Sequence, residues 1–144
     1  METNEVEFIN LTGREINVYA TDDCSEVIDG DYKSLVAKDG AKPIRVIPPS
    51  GTVAKVSQIK RQVTTLDGIP VNKTTLGKIE GLPRMWKFNR LYIVSELIAQ
   101  AVATRNDVAM ATRNDVLVID SEVRDKNGNV IGCTSFGKIV NPYE

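Results

Sequence analysis

LYIVSELIAQAVATRNDVAMATRNDVLV, residues 91–118, joins an apolar strand pattern to the one long helical pattern in this sequence. Its first four residues, Leu91–Val94, are β-branched, aromatic and aliphatic types that favour a buried strand. Ser95 supplies a hydroxyl suited to a helix N-cap, and Glu96 puts a negative charge in the first turn. The apolar residues that follow recur at helical spacing without Gly or Pro, so we predict a helix over about 96–110.

A six-residue phrase, ATRNDV, occurs twice near the end of this helical pattern, at Ala103–Val108 and Ala111–Val116. An eight-residue shift turns a helix by about 80° beyond two full turns, so the copies cannot share one helical face. We expect the first copy to continue the helix and the second to lie at or beyond its end. Each copy combines a cation, an amide and a carboxylate, which suits a polar ligand. A solvated helix end followed by a loop explains the same residues.

Composition favours a binding protein over an enzyme. The 144 residues are 42% hydrophobic and 26% charged, which is typical of a single globular domain spanning residues 1–144. The chain has no histidine, and Cys24 and Cys133 are far apart, which argues against nucleophile–histidine pairs and zinc sites. An enzyme using carboxylates, lysine or tyrosine is compatible with the composition, but no recognisable arrangement of them appears. We therefore predict no enzymatic activity, with no catalytic residue, metal or cofactor.

Charge and hydropathy restrict the partners. Residues 1–31 hold nine acids against Arg14 alone, and residues 33–90 hold twelve bases against three acids. The basic segment suits a small anion, whereas the net charge of −1 argues against a DNA or RNA duplex. Pairing of the two segments with each other is the alternative. No apolar run approaches the roughly 20 residues of a membrane span, and no signal peptide is recognisable, so we expect a cytoplasmic protein without a membrane partner.

Turn signals divide the rest of the chain into short strands. Asp67–Gly68 and Asn127–Gly128 predict hairpins, the second with both residues in the left-handed region of a type I′ turn. Asp22–Gly40 shows no sustained period and is expected to be irregular, with a short strand or helical turn near Tyr32–Ala37. The predicted fold class is α+β: a β-rich domain of short antiparallel strands and hairpins with one main helix.

The segment Arg84–Arg90, RMWKFNR, is chemically the richest. Trp86 and Phe88 suit stacking on nucleobases, and the neighbouring cations suit phosphates. Ser95 adds a helix amino terminus, whose N–H groups suit an anion. A structural role is the alternative in both cases. The two aromatic side chains then cover a sheet edge or a subunit contact, and Ser95 is an ordinary helix cap.

Eight short phrases resemble, in order and spacing, a family of small proteins from bacteriophages and prophages. They are Phe8–Thr12 (FINLT), Ile47–Ala54 (IPPSGTVA), Gly68–Val71 (GIPV), Gly81–Pro83 (GLP), Tyr92–Ser95 (YIVS), Arg113–Val116 (RNDV), Arg124–Gly128 (RDKNG) and Val130–Cys133 (VIGC). Within that family the chain is similar to the Thoeris anti-defence sponges of the first type. It departs from the pattern at Thr12-Gly13-Arg14, which stands where the family has Thr-Pro-His, and in its duplicated Arg-Asn-Asp phrase.

The resemblance implies a phage protein of the host cytoplasm that sequesters an immune signal without cleaving it. The implied ligand is glycocyclic ADP-ribose made by TIR-domain enzymes, with cyclic trinucleotides at separate sites. The implied assembly is a homo-oligomer built from dimers, with a hexamer as one form. A structural or adaptor phage protein with a protein-binding role is the alternative.

We assign candidate ligand roles on this basis. Enclosing a nucleotide needs aromatic faces for the base, cations for phosphate and polar groups for the ribose. The candidates are Trp86 or Phe88 for stacking, Arg90 and Arg113 for phosphate, Asn89, Asn114 and Asp115 for polar edges, and the amides at Ser95 for a further phosphate.

Overall fold

The computed structural model describes residues 5–84, 87–104 and 113–140, and in these ranges strands dominate. The strands are β1 (Glu7–Asn10), β2 (Ile16–Val18), β3 (Cys24–Asp29), β4 (Tyr32–Ala37), β5 (Arg45–Ile47), β6 (Lys55–Leu66), β7 (Ile69–Glu80), β8 (Arg90–Ile93), β9 (Val116–Arg124) and β10 (Val130–Gly137). The helix is α1 (Glu96–Ala103), and a short 3-10 turn covers Thr21–Asp23. The predicted class, a β-rich α+β fold with one main helix, is confirmed.

Among the described residues, eight strands form one mixed sheet. Its main path runs β1-β8-β9-β10-β2-β5, and β4 joins β9 while also pairing with β3. Hairpin neighbours such as β9 and β10 are antiparallel, as predicted. Four pairings are parallel instead: β1 with β8, β8 with β9, β4 with β9, and β10 with β2. Three of these pairings join strands far apart in the sequence, and α1 rather than a turn connects β8 to β9. Turn signals therefore gave no sign of them.

The helix begins where the sequence predicts. Ser95 has extended backbone angles, and its Oγ accepts a hydrogen bond from the backbone N–H of Ile98 at 3.4 Å. The buried face of α1 packs with Tyr92 and Val94 of β8 and its continuation in the main hydrophobic core. Helical hydrogen bonding ends at Thr104, whose N–H donates to the Gln100 carbonyl. The remaining part of the predicted helix, residues 105–110, lies outside the described residues.

The strands β6 and β7 form a hairpin longer than the short segments that were predicted. Each strand has 12 residues, so the hairpin extends about 40 Å. Val56 and Ile79 at its base pack against the main core, but most of the outer residues are exposed. At the tip, Asp67 and Gly68 both have positive φ, 49° and 78°, which confirms the predicted tight turn.

The predicted type I′ turn at Asn127–Gly128 is wrong in detail. Only Gly128 has positive φ, at 85°. The Asp125 carboxylate accepts hydrogen bonds from the backbone N–H groups of Asn127 and Asn129, both at 2.9 Å, and Gly128 N–H donates to the Asp125 carbonyl. The hydrogen bonds from Asn129, with those from Asn127 and Gly128, lower the pKa of Asp125. These hydrogen bonds to the Asp125 side chain fix a turn in which Gly128, but not Asn127, has positive φ.

The expectation of an irregular segment over Asp22–Gly40 is also wrong. β3 and β4 pair in regular antiparallel register from Cys24↔Ala37 to Asp29↔Tyr32. The strand near Tyr32–Ala37 is confirmed. The pattern escaped prediction because most of the β3 side chains are exposed, so no apolar alternation marks it.

Gly132 allows β10 to approach β2 closely, and Gly132→Ala tests this packing. An added Cβ would collide with the Asn17 carbonyl and lie 2.7 Å from the Tyr19 ring. We expect the free energy of unfolding to fall by about 1–3 kcal/mol in urea titrations, the usual cost of overpacking. Gly137→Ala on the same strand is the control, because there the nearest neighbour is the Asp120 side chain at 3.3 Å. Equal costs for both variants would contradict this account of the β10–β2 contact.

Within the described ranges, no helix has the length and apolar character needed to cross a membrane.

Candidate functional site

The structure separates the predicted ligand residues into two groups at opposite ends of β8. Phe88 and Asn89 precede the strand, Arg90 begins it, and Ser95 lies just beyond its far end. Five residues of extended chain span about 16 Å, so a small ligand bound at Phe88 does not reach Ser95 of the same chain. Trp86 lies outside the described residues.

Six of the predicted residues lie together at the amino ends of β8 and β9. Tyr92 and Val116 are paired in the parallel register of these strands, and Tyr92 N–H donates to the Asp115 carbonyl at 2.8 Å. The residues before Val116 therefore lie beside the start of β8. We call this group the amino-end cluster: Phe88, Asn89, Arg90, Arg113, Asn114 and Asp115.

Arg113 and Asp115 form a buried, two-pronged ion pair within this cluster. Nε and Nη2 of Arg113 donate to the two carboxylate oxygens, each at 2.8 Å, and the side chains are only 7% and 2% exposed. Nη1 donates to the Pro83 carbonyl at 2.6 Å, and the guanidinium lies over the Tyr92 ring at 5.7 Å. These contacts hold the loop at Pro83 against β9. The predicted ligand roles of both residues stay predictions.

Arg90 is also paired with an acid. Its Nη2 lies 3.1 Å from Glu7 Oε2 on the neighbouring strand β1. A hydrogen bond to Tyr92, together with the Glu7 carboxylate, raises the pKa of Arg90. Phe88 is 75% exposed, Asn114 is exposed, and Asn89 has a left-handed backbone with φ 63°. The cluster thus presents an aromatic and amides to solvent, while both of its arginines have acidic partners.

Ser95 lies instead in a groove beside the start of α1. The groove consists of two adjoining cavities that share Glu96, Val118, Ile119 and Glu122. The smaller, of about 520 Å³, is lined by Thr12, Arg14, Glu15, Ile16, Asn17, Val94, Ser95, Glu96, Val118, Ile119, Glu122, Val130, Ile131 and Gly132. The larger, of about 910 Å³, is lined by Thr21, Glu26, Lys33, Ser34, Leu35, Glu96, Val118, Ile119, Asp120, Ser121, Glu122, Arg124, Thr134, Ser135, Gly137, Lys138 and Ile139.

The groove mixes both signs of charge with many hydroxyls. Two of its cations are close to groove acids: Lys33 lies 3.1 Å from Glu26, and Arg124 lies 4.0 Å from Glu122. Its other two cations, Arg14 and Lys138, form no ion pair with the described acids. The groove therefore offers an anion two cations that are not engaged in these ion pairs. It offers a polyhydroxylated ligand several hydroxyls and five carboxylates, those of Glu15, Glu26, Glu96, Asp120 and Glu122.

A buried asparagine fixes the turn that carries Arg14. Asn10 is 1% exposed, and its Nδ2 donates to the carbonyls of Arg14 at 2.6 Å and Ile47 at 3.1 Å. Its Oδ1 accepts from the N–H and the hydroxyl of Thr12 at 3.0 and 2.6 Å. Gly13 has a φ of 83°, so the chain reverses between Thr12 and Arg14. The backbone of Arg14 is thus held at the rim of the groove.

The larger cavity also contains a strained residue. Ser121, in the middle of β9, has a φ of 50°, although it is not a glycine. This left-handed conformation costs an ordinary residue roughly 1–2 kcal/mol. Non-glycine residues in such conformations cluster at binding sites, where the surrounding structure holds them.

Neither cysteine is prepared for nucleophilic chemistry. Burial is the largest cause that raises the pKa of the Cys133 thiol, and burial together with Asp23 raises that of Cys24. Raised pKa values keep thiols protonated and unreactive. Across the described ranges, no group of three or more His, Cys, Asp or Glu side chains is arranged to hold a metal ion. Neither cysteine lines the groove.

Of the residues that line the groove, only Ser95 is a predicted ligand residue. Thr12-Gly13-Arg14, at its rim, stands out in the sequence only as a departure from a family pattern. The groove's other residues come from strands that the fold assembles through parallel pairings, and no spacing in the sequence connects them. No family model, curated protein or solved structure matches this chain, so the site stands on its own geometry.

Proposed function

We propose that this protein is a phage anti-defence sponge, which binds a nucleotide immune signal and sequesters it without cleaving it. The ligand class is glycocyclic ADP-ribose, with cyclic trinucleotides as a second class at a separate site. The observation that carries the proposal is the groove, where Arg14 and the start of α1 lie beside carboxylates and hydroxyls. The phrases shared with phage sponges support the nucleotide class, and the volume of the groove suits a ligand of that size.

Each part of such a ligand has a matching group in the groove. The guanidinium of Arg14 and the N–H groups in the first turn of α1 suit a pyrophosphate. Carboxylates are common acceptors for ribose hydroxyls, a role that fits Glu96 and Glu122 on the shared wall of the two cavities. Lys138 in the larger cavity is a further cation for phosphate.

Sequestration rather than hydrolysis agrees with the side chains available. The chain has no histidine, the commonest general base, and both thiols have raised pKa values. Bound ligand therefore stays intact in this proposal.

A homo-oligomer completes the site. To outcompete a signalling receptor, a sponge needs nanomolar affinity, about −12 kcal/mol, which an open groove on one chain does not supply. An assembly built from dimers, with a hexamer as one form, places the amino-end cluster of a second copy over the groove. Phe88 of that copy then stacks on the base, and the two separated groups of candidate residues act on one ligand.

Calorimetric titration with glycocyclic ADP-ribose tests the assignment. We expect Arg14→Ala to weaken binding by about 10- to 100-fold, because charge-assisted hydrogen bonds are worth roughly 1.5–3 kcal/mol. Lys60→Ala, an exposed cation on β6 outside the groove, is the matched control and should bind like the wild type. Equal affinity for the Arg14→Ala variant and the wild type would rule out the groove as the phosphate site.

A structural or adaptor role is the second candidate. It is favoured by the exposed aliphatic residues of the β6–β7 hairpin, including Ile59, Leu66 and Ile69. Under this alternative the protein depletes no nucleotide from solution, and Arg14→Ala changes no measurable property of the groove.

A further inference from the structure

The β6–β7 hairpin has one face that is both aliphatic and cationic. In its register, Ile59 pairs with Thr75, Arg61 with Lys73, Thr64 with Val71, and Leu66 with Ile69. These pairs share a face because side chains alternate along each strand and the register shift between Gln62 and Thr64 adds one residue to β6. We call this the arm face: Ile59, Arg61, Leu66, Ile69, Val71 and Lys73. The opposite face is mostly polar, with pairs such as Lys60 with Thr74 and Gln62 with Asn72, although Pro70 and Leu76 also lie on it.

The aliphatic side chains of the arm face are largely exposed. Leu66 and Ile69 at its outer end are 63% and 66% exposed. A two-stranded hairpin is only marginally stable by itself, and exposed groups of aliphatic side chains typically mark an interaction surface. Arg61 and Lys73 also give the arm face a positive charge, so a partner with acidic character is favoured.

The β3–β4 hairpin of the same chain offers the complementary surface. Val27 pairs with Ser34 and Asp29 pairs with Tyr32, so these four residues share one face. Tyr32 is 82% exposed, and Val27 and Asp29 are exposed as well. Asp31 in the connecting turn adds a further carboxylate, and residues 24–37 hold three acids against one base.

We propose that the arm face of one copy packs on the Val27–Tyr32 face of the β3–β4 hairpin of a second copy. Tyr32 covers the aliphatic residues, and Arg61 and Lys73 meet Asp29 and Asp31. Because two different surfaces meet, the contact is head-to-tail and builds a ring when the rotation between copies closes. The contact needs no nucleotide, so it goes beyond the ligand-binding function and is tested independently of it.

Charge reversal on each side of the contact provides the test. The wild type, Arg61→Glu/Lys73→Glu and Asp29→Lys/Asp31→Lys are compared by sedimentation velocity without ligand. We expect an oligomer for the wild type and a smaller mass for each double variant, because only the contact through the amino-end cluster then remains. Mixed in equal amounts, the two variants should regain the contact, because the arm and the β3–β4 hairpin of unlike variants again carry opposite charges, whereas copies of the same variant repel each other.

Two controls distinguish loss of the contact between copies from unfolding of the variants. Lys60→Glu reverses a charge on the opposite face of the arm and should leave the oligomer intact. Circular dichroism melts establish that each double variant is folded. A monomeric wild type would overturn the proposal. It would indicate that the arm face binds a different macromolecule. Dissociation by the arm variant alone, or folded variants that keep the smaller mass when mixed, would overturn it equally.

Discussion

Replacing Arg113 by alanine is expected to lower the free energy of unfolding by about 3–5 kcal/mol, because the variant leaves a buried carboxylate without its cation. Asp115 is 2% exposed and receives two hydrogen bonds from Arg113. The same substitution removes the donor to the Pro83 carbonyl and the contact with the Tyr92 ring. Urea unfolding followed by circular dichroism measures the loss.

A double variant separates the ion pair from ligand binding. In Arg113→Met/Asp115→Leu no buried charge remains, and such replacements are often neutral or stabilising, so we expect much of the loss to be recovered. If this stable variant binds glycocyclic ADP-ribose like the wild type, the pair is structural. If it is stable and binding is lost, Arg113 has the ligand role predicted from the sequence. An Arg113→Ala variant that loses less than about 1 kcal/mol would contradict the buried ion pair itself.

Asn10→Asp is expected to destabilise the protein by roughly 2–4 kcal/mol although it changes only one atom of the side chain. The amide donates to the carbonyls of Arg14 and Ile47, so an oxygen in its place faces two other oxygens in a buried site. Because the same hydrogen bonds fix the turn at Arg14, ligand affinity should fall as well. Urea unfolding and calorimetric titration measure the two effects.

The pH dependence of this variant adds a check. At about pH 8 the new carboxylate is ionised, whereas near pH 4.5 protonation removes the charge and supplies one donor. The difference in unfolding free energy between Asn10→Asp and the wild type should therefore shrink as the pH falls. Asn17→Asp is the control, because that amide makes one part-buried hydrogen bond to the Ile131 carbonyl. Similar losses for both variants would contradict the special role of Asn10.

Features encoded by neighbouring residues could be predicted from the sequence. The cap at Ser95 and the turn at Asp67–Gly68 depend on local hydrogen bonding and backbone preference, and both are present. The β-rich class followed from many such turns. At Asn127–Gly128 the same reasoning failed, because the Asp125 side chain determines the turn.

Features that depend on distant strands could not be predicted. The parallel neighbour β1 lies far from β8 in the sequence, and β9 follows β8 only after α1, so no turn signal indicates either pairing. The pairing of Arg113 with Asp115 does have a local signal, because side chains two residues apart in an extended chain point to the same side. The charges were instead assigned to a ligand, whereas in the folded chain they bind each other.

Depletion and release of the signal molecule tests the central claim most directly. The purified protein is incubated with glycocyclic ADP-ribose and removed by filtration, and the retained protein is then boiled and its released contents are analysed by mass spectrometry. A sponge removes the molecule from the filtrate and returns it chemically intact on boiling. A released product of altered mass would show an enzyme instead, and undiminished ligand in the filtrate would contradict nucleotide sequestration.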